Sequence, residues 1–302
     1  MEQLRVWKNR TVASPLSERV LELRSDRRHG ASWMARRAVE AIVEEAGREA
    51  GSSAALLERL VEAGRELASS RPEIGAVRSA LGRVVGAAHA YSHLPEEELR
   101  RLVEEQGRSL VAARERAAYS IEIQLSDRLE DAAVLTHSAS ATVREALLRT
   151  PPAHVFCTVS APLEEGIAFA EELRAADLPV TLVPDEAGAA ALDRASVLLL
   201  GADTVFRDGS LCNKIGTRLL ADAAAARRVP VVVAAEALKL APVDASEAPK
   251  LDSEAATLFD LTPGRLVEEI VTEEGCVRSD DVRPLVDRTP FLRDGWALLE
   301  PV

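Results

Sequence analysis

Apolar residues recur at helical spacing from about Ser14 to Arg128, and no alternating strand pattern interrupts them. Met34, Ala38, Ala41, Ile42 and Ala46 mark one face, and Leu56, Leu57, Leu60, Val61 and Leu67 a second. Leu99, Leu102, Val103, Leu110, Ala113 and Ala117 mark a third. Breaks fall at Gly51-Ser52-Ser53, Ser69-Ser70-Arg71-Pro72 and His93-Leu94-Pro95. Pro95 followed by Glu96, Glu97 and Glu98 reads as a helix start, with acids at the positive end of the dipole. From Ala132 onward, short apolar runs alternate with helical stretches. Strands are predicted at Ala133–Thr136, His154–Thr158, Val180–Val183, Val197–Leu200 and Val231–Ala234. Helices are predicted over Ser140–Arg149, Leu163–Ala176, Ala187–Asp193 and Lys214–Arg227. The expected fold class is therefore α/β: a helical domain over residues 1–128, then a domain over 129–302 whose mainly parallel sheet is covered by helices on both faces. Pro242–Asp260 reads as a polar, acidic loop or lid, and Leu266–Val302 as a strand or two with Pro-punctuated closing segments.

Composition narrows the function classes. The 302 residues are 47% hydrophobic and 28% charged, as expected of a folded, water-soluble chain. A net charge of −12 argues against broad nucleic-acid binding, though a local basic pocket stays compatible with it. Cys157, Cys212 and Cys276 are odd in number and lack metal-ligand spacing, so reduced thiols and no bound metal are expected. The start MEQLRVWKNR is too polar for a signal peptide, and no apolar run approaches the ~20 residues of a membrane span. The expected setting is cytoplasmic. Only four of the 37 basic residues are lysine: Lys8, Lys214, Lys239 and Lys250. A lysine kept against so strong an arginine bias suggests a place where a compact point charge is needed.

Two of those lysines follow predicted strands. In Ser196–Thr217 the sequence reads as a strand ending at Gly201-Ala202-Asp203, a turn at Asp208-Gly209, and a helix entered through Cys212-Asn213-Lys214-Ile215-Gly216-Thr217. Small phosphorylated ligands sit at such strand ends in open α/β sheets. Other polar clusters follow the first strand (Leu135-Thr136-His137-Ser138-Ala139-Ser140), the second (Val159-Ser160-Ala161-Pro162) and the fifth (Glu236-Ala237-Leu238-Lys239). Ser138 and Ser140 read as helix caps at least. His137 reads equally as a packed histidine, Gly30-Ala31-Ser32 equally as a plain helix start, and Trp33 as a core or dimer contact. Cys212, beside Lys214 at a predicted helix start, is a lesser candidate nucleophile. Cys157 belongs to a buried strand.

These clusters together resemble the alpha, beta and delta subunits of translation initiation factor 2B and their enzyme relatives, ribose-1,5-bisphosphate isomerase and methylthioribose-1-phosphate isomerase. "LTH" before a Ser-rich helix start, "GAD" then "NKIGT", and "AAE…K…P" come in family order, and Val282–Pro290 resembles the closing segment. Arg28-His29-Gly30-Ala31-Ser32 is similar to the "RGA" loop and Arg71-Pro72 to the "RP" loop. The resemblance spans about residues 20 to 295 and implies a helical domain leading into a Rossmann-like domain that usually dimerises. It implies ligand contacts at Gly30, Ala31, Ser32, Arg71, His137, Ser140, Asn213, Lys214 and Lys239, with Asp203 and Ser138 at the two catalytic positions. In the isomerases the Ser138 position is a cysteine, and an arginine stands where this chain has Ala161. A hydroxyl without help does not titrate near neutrality as a tuned thiol does. The implied function is binding of a phosphorylated ribose or nucleotide by a non-catalytic relative, without a cofactor. The alternative is an aldose–ketose isomerase using Asp203. A homodimer or larger homo-oligomer is the expected assembly, and no membrane or nucleic acid is an expected partner.

Overall fold

The computed structural model of the protein describes residues 16–248 and 250–300; the polar segment around Lys8 lies outside them. The first half is helical, as its periodicity predicts: α1 (Leu16–Ser25), α2 (Ala31–Ala46), α3 (Ser53–Ser69), α4 (Gly75–Ala90) and α5 (Glu96–Leu129). The chain breaks where the punctuation falls. Ser52 caps α3 by accepting the Ala55 N–H, and Pro95 immediately precedes α5 with its three first-turn glutamates. The apolar stripes of α2, α3 and α5 meet in one cluster around Ile42, Leu60, Leu67, Leu81 and Leu99. At about 1.5 Å per residue, α5 is roughly 51 Å long. Its early turns join that cluster, while Ile121, Leu125 and Leu129 pack on the sheet that follows.

The remaining elements, in chain order, are β1 (Ala133–His137), α6 (Ala141–Arg149), β2 (His154–Thr158), α7 (Glu165–Ala175), β3 (Val180–Val183), α8 (Gly188–Ala191), β4 (Val197–Leu200), β5 (Thr204–Val205) and β6 (Leu211–Lys214). They continue with α9 (Thr217–Arg227), β7 (Val231–Ala234), β8 (Phe259–Thr262), β9 (Glu269–Thr272), β10 (Gly275–Arg278), α10 (Val282–Arg288) and α11 (Leu292–Leu298). Seven strands form one sheet in the order β10-β9-β7-β4-β1-β2-β3, parallel except for β10. Alternation along each strand feeds two cores. Val197 and Leu199 face α5, α6 and α7, whereas Leu198 and Leu200 face α8, α9 and α10. Chain order runs outward from β1 to β3, then resumes on the other side of β1 with β4 and β7. The loops after β1 and β4 therefore diverge, which opens a crevice at their carboxyl ends.

Three expectations need correction. Lys214 does not begin a helix: Leu211–Lys214 is a fully buried strand, and α9 starts at Thr217. The strand pairs antiparallel with β5, across the Asp208-Gly209 turn, and with β8, which forms the end of the segment read as a loop or lid. Pairing partners more than forty residues away overrode the local helical look of this stretch. The other helices are shorter than predicted; α7 starts at Glu165 and α8 covers only Gly188–Ala191. The tail supplies two strands as expected, but its closing segments are helices.

The last helix returns to the first half. Gly82 of α4 and Gly295 of α11 touch backbone to backbone, so a Cβ on Gly295 would lie 1.8 Å from the Gly82 carbonyl oxygen. Leu299 follows into the helical core. Gly295→Ala is therefore expected to destabilise the fold by about 3 kcal/mol, at the severe end of overpacking, because the three nearest obstructing atoms all belong to the Gly82 main chain. Denaturant unfolding of the variant measures it; an unchanged midpoint would contradict this helix crossing.

Candidate functional site

The crevice deepens into a cavity of about 170 Å³ between the sheet and the helical half. Every ligand or catalytic position implied by the resemblance lines it: Gly30, Ala31, Ser32, Arg71, His137, Ser138, Ser140, Asp203, Asn213, Lys214 and Lys239. Separate loops deliver them. The start of α2 brings Gly30 to Ser32, the α3–α4 turn brings Arg71, and the β1–α6 loop brings His137 to Ser140. Asp203 follows β4, Asn213 and Lys214 end β6, and Lys239 closes a short 3-10 turn after β7.

Two helix starts open into the cavity. Gly30 precedes α2 without a side-chain cap, and among the described residues the Ala31 and Ser32 N–H groups meet no acceptor. Ser140 caps α6 through the Val143 N–H, leaving those of Ala141 and Thr142 open. Such first turns carry partial positive charge and free donors. Gly201 allows this approach, since a Cβ there would sit 2.5 Å from the Ser140 hydroxyl.

The charged side chains are arranged in pairs. Lys214, buried, reaches Glu165 at 2.9 Å. Glu165 also accepts the Ser138 hydroxyl at 2.8 Å. Lys239, equally buried, lies 3.1 Å from Glu236. Arg71 pairs with Glu73 and donates to the Asp26 carbonyl at 2.7 Å. Asp203 is partly buried, with part of its surface opening on the cavity. Burial pushes its carboxyl above the ordinary range, and Lys239 and Arg71 only partly offset this.

His137 serves the framework. Its Nε2 faces the Ile215 carbonyl at 2.8 Å and must donate, so Nδ1 is bare and accepts from the Thr158 hydroxyl at 2.6 Å. Burial lowers its pKa, which keeps the ring neutral. Ser138 is no helix cap. It adopts a left-handed backbone (φ 66°), rare for a residue with a Cβ, and its N–H donates to the Ser160 hydroxyl at 2.8 Å. Ser160 and Ala161 are themselves fixed by the Asp185 carboxylate, which accepts both N–H groups at 2.8 and 2.7 Å. Asn213 donates to Thr217 at 3.0 Å. Cys212 is buried on β6, and its thiol is pushed up by burial and by Asp203, the reverse of an activated nucleophile.

Open helix starts and ammonium groups thus meet, at a sheet's switch point, an aspartate whose carboxyl burial raises. Residues 27–256 match the family described as the initiation factor 2 subunit family. This chain belongs to that family. An eIF-2B subunit 2-like protein of Pyrococcus horikoshii is 31% identical over 282 residues, covering 87% of this chain and 97% of the relative. A ribose 1,5-bisphosphate isomerase of Archaeoglobus fulgidus is 30% identical over 287 residues, covering 86% and 90%. The crystal structure of the Pyrococcus horikoshii translation initiation factor eIF-2B superposes with a TM-score of 0.75 at 25% identity, over 88% of this chain and 98% of that one. The family thus includes both initiation-factor-like and isomerase members.

Sequence reading of this initiation factor 2 subunit member missed the carboxylates. Glu165, Glu236 and Glu73 each hold a cavity cation; Glu165 lies 49 residues from Lys214, whereas Glu236 and Glu73 stand three and two residues from Lys239 and Arg71. Glu236, inside the "AAE…K…P" segment, and Glu165, in the polar cluster after the second strand, had a signal. Of the arginines able to replace the one lost at Ala161, Arg28 and Arg71 line the cavity. Arg144 instead pairs with Glu145 and Glu172 on the α6–α7 surface.

Proposed function

We propose that this initiation factor 2 subunit member binds a phosphorylated ribose or a nucleotide in this cavity without turning it over. The observation that carries the reading is the convergence of the α2 and α6 first turns on the two buried lysines. A phosphoryl group there meets N–H donors, dipole ends and ammonium groups together. Against turnover stands the Ser138 hydroxyl, already donating to Glu165, where the isomerases resembled in sequence carry a thiol. Titration calorimetry with ribose 5-phosphate, ribose 1,5-bisphosphate and AMP tests the proposal: at least one is expected to bind. Lys214→Ala is expected to weaken that ligand by about 10- to 100-fold, the loss of one charge-assisted contact. A folded protein giving no heat with any of the three would rule the reading out.

One observation favours a second reading, aldose–ketose isomerisation. Asp203 is raised toward the range in which a carboxyl exchanges protons usefully at neutral pH. Turnover of ribose 1,5-bisphosphate, removed by Asp203→Asn, would establish it. No product at high protein concentration, with binding intact, leaves the first reading alone.

A further inference from the structure

Glu236 is buried with only 4% of its surface exposed, at the end of β7, and its carboxylate is shared among three elements. One oxygen accepts the Thr142 hydroxyl at 3.0 Å, from the first turn of α6. The Ser32 hydroxyl, from the first turn of α2, donates to the same carboxylate at 3.2 and 3.3 Å. The Lys239 ammonium completes the set at 3.1 Å. We propose that Glu236 is a positioning residue, a buried carboxylate that ties the first turn of α2 to the first turn of α6 and serves as counter-ion of Lys239.

The physical reason is geometric. The two helix starts belong to opposite halves of the molecule, and α2 reaches the sheet end only by packing across the crevice. A single acceptor behind both first turns fixes their separation, and with it the distance between the two sets of open N–H groups. Negative charge is favourable there because both helix dipoles point positive ends at it. Burial works against the charge, yet Lys239 and the hydroxyl donors hold the carboxyl below the ordinary range. The neighbouring ionisable groups are few. Asp203, from the loop after β4, faces the same ammonium; Glu273 lies on the β9–β10 turn, with Glu274 and Arg83 of α4 beyond it. Glu273 secures the turn that carries Lys239 by accepting the Ala237 N–H at 2.8 Å.

The test uses the full-length protein and its four lysines, whose side-chain signals can be followed one by one by NMR during a pH titration. In Glu236→Gln, Lys239 is left buried and facing the Asp203 carboxyl. Its midpoint is expected to fall by about one pH unit or more relative to the parent, and further in Asp203→Asn/Glu236→Gln. Ribose 5-phosphate affinity should then decline with rising pH more steeply than in the parent, whereas a merely structural defect lowers it equally at every pH. Lys239→Met views the pair from the other side and serves if Glu236→Gln fails to fold. With its partner gone Glu236 titrates upward, so stability is expected to fall as pH rises above the ordinary glutamate range, a slope absent from the Glu236→Gln/Lys239→Met double variant. An unmoved Lys239 midpoint in both glutamine variants, or no such slope in Lys239→Met, overturns the proposal. The choice of phosphorylated probe rests on the function proposed above. The two titrations need no ligand, so a shifted Lys239 with no binding would sink that function and leave the tie standing.

Discussion

Asp203→Asn is expected to make the protein more stable while impairing its site. The sign follows from the raised carboxyl. An aspartate in the unfolded chain titrates near 3.9, whereas burial in the fold moves Asp203 above its ordinary value. Between those two values the folded protein keeps a proton that the unfolded chain has released. Stability is therefore lost as pH rises through that window, and the loss is complete above the folded value. Asparagine has the same shape and no proton to lose. The variant should match the parent near pH 4 and exceed it at pH 7.5. Urea unfolding at three pH values measures the difference. A pH-independent gap of either sign would show that Asp203 is not the strained group. Ligand affinity or turnover should fall in the same variant, because stability and function conflict at a carboxyl held where its charge is unfavourable.

Arg71→Ala is expected to be the most damaging single change at the cavity. Arg71 and Glu73 are each about 6% exposed and satisfy one another. Arg71 also donates to the Asp26 carbonyl, which fixes the α1–α2 loop ahead of Gly30, and its guanidinium lies 5.9 Å from the Phe259 ring centre. Removing it strands a buried carboxylate, an effect of about 3–5 kcal/mol. It also removes one of the two cations that restrain Asp203, which keeps Lys239 alone. The Arg71→Ala/Glu73→Ala double variant should recover a large part of the lost stability without regaining ligand binding. Thermal unfolding and calorimetry of the three proteins separate the contributions. If the double variant is as unstable as the sum of the singles, the pair is not the unit described.

Much of this arrangement can be read from sequence because it is local. Four of the five predicted strands match the structure to the residue, since all-apolar runs such as Val197–Leu200 and Val231–Ala234 have only one way to be buried on both faces. The helical half is legible for the same reason: its stripes at i, i+3 and i+4 point to one side whatever they pack against. The cavity residues were legible as motifs, each placed at a strand end or helix start. The failures share a different cause. Leu211–Lys214 pairs with Phe259–Thr262, which stood in a stretch with no strand signal. Ser138 reads as a cap, yet its left-handed backbone turns its hydroxyl to Glu165 instead.

The sequence by itself therefore determined the helical half, the parallel sheet, and the set of side chains that gather at its carboxyl edge. Periodicity and capping are properties of neighbours along the chain, so they survive without knowledge of the fold. Tertiary structure alone decided the charge state of the site. Lys239 shares its turn with Glu236, but whether Lys214 is a free cation or a member of a pair depends on Glu165 arriving from the start of α7. Whether Asp203 holds a proton depends on how fully unrelated segments close around it. Those are sums over distance and burial, and no local pattern encodes them.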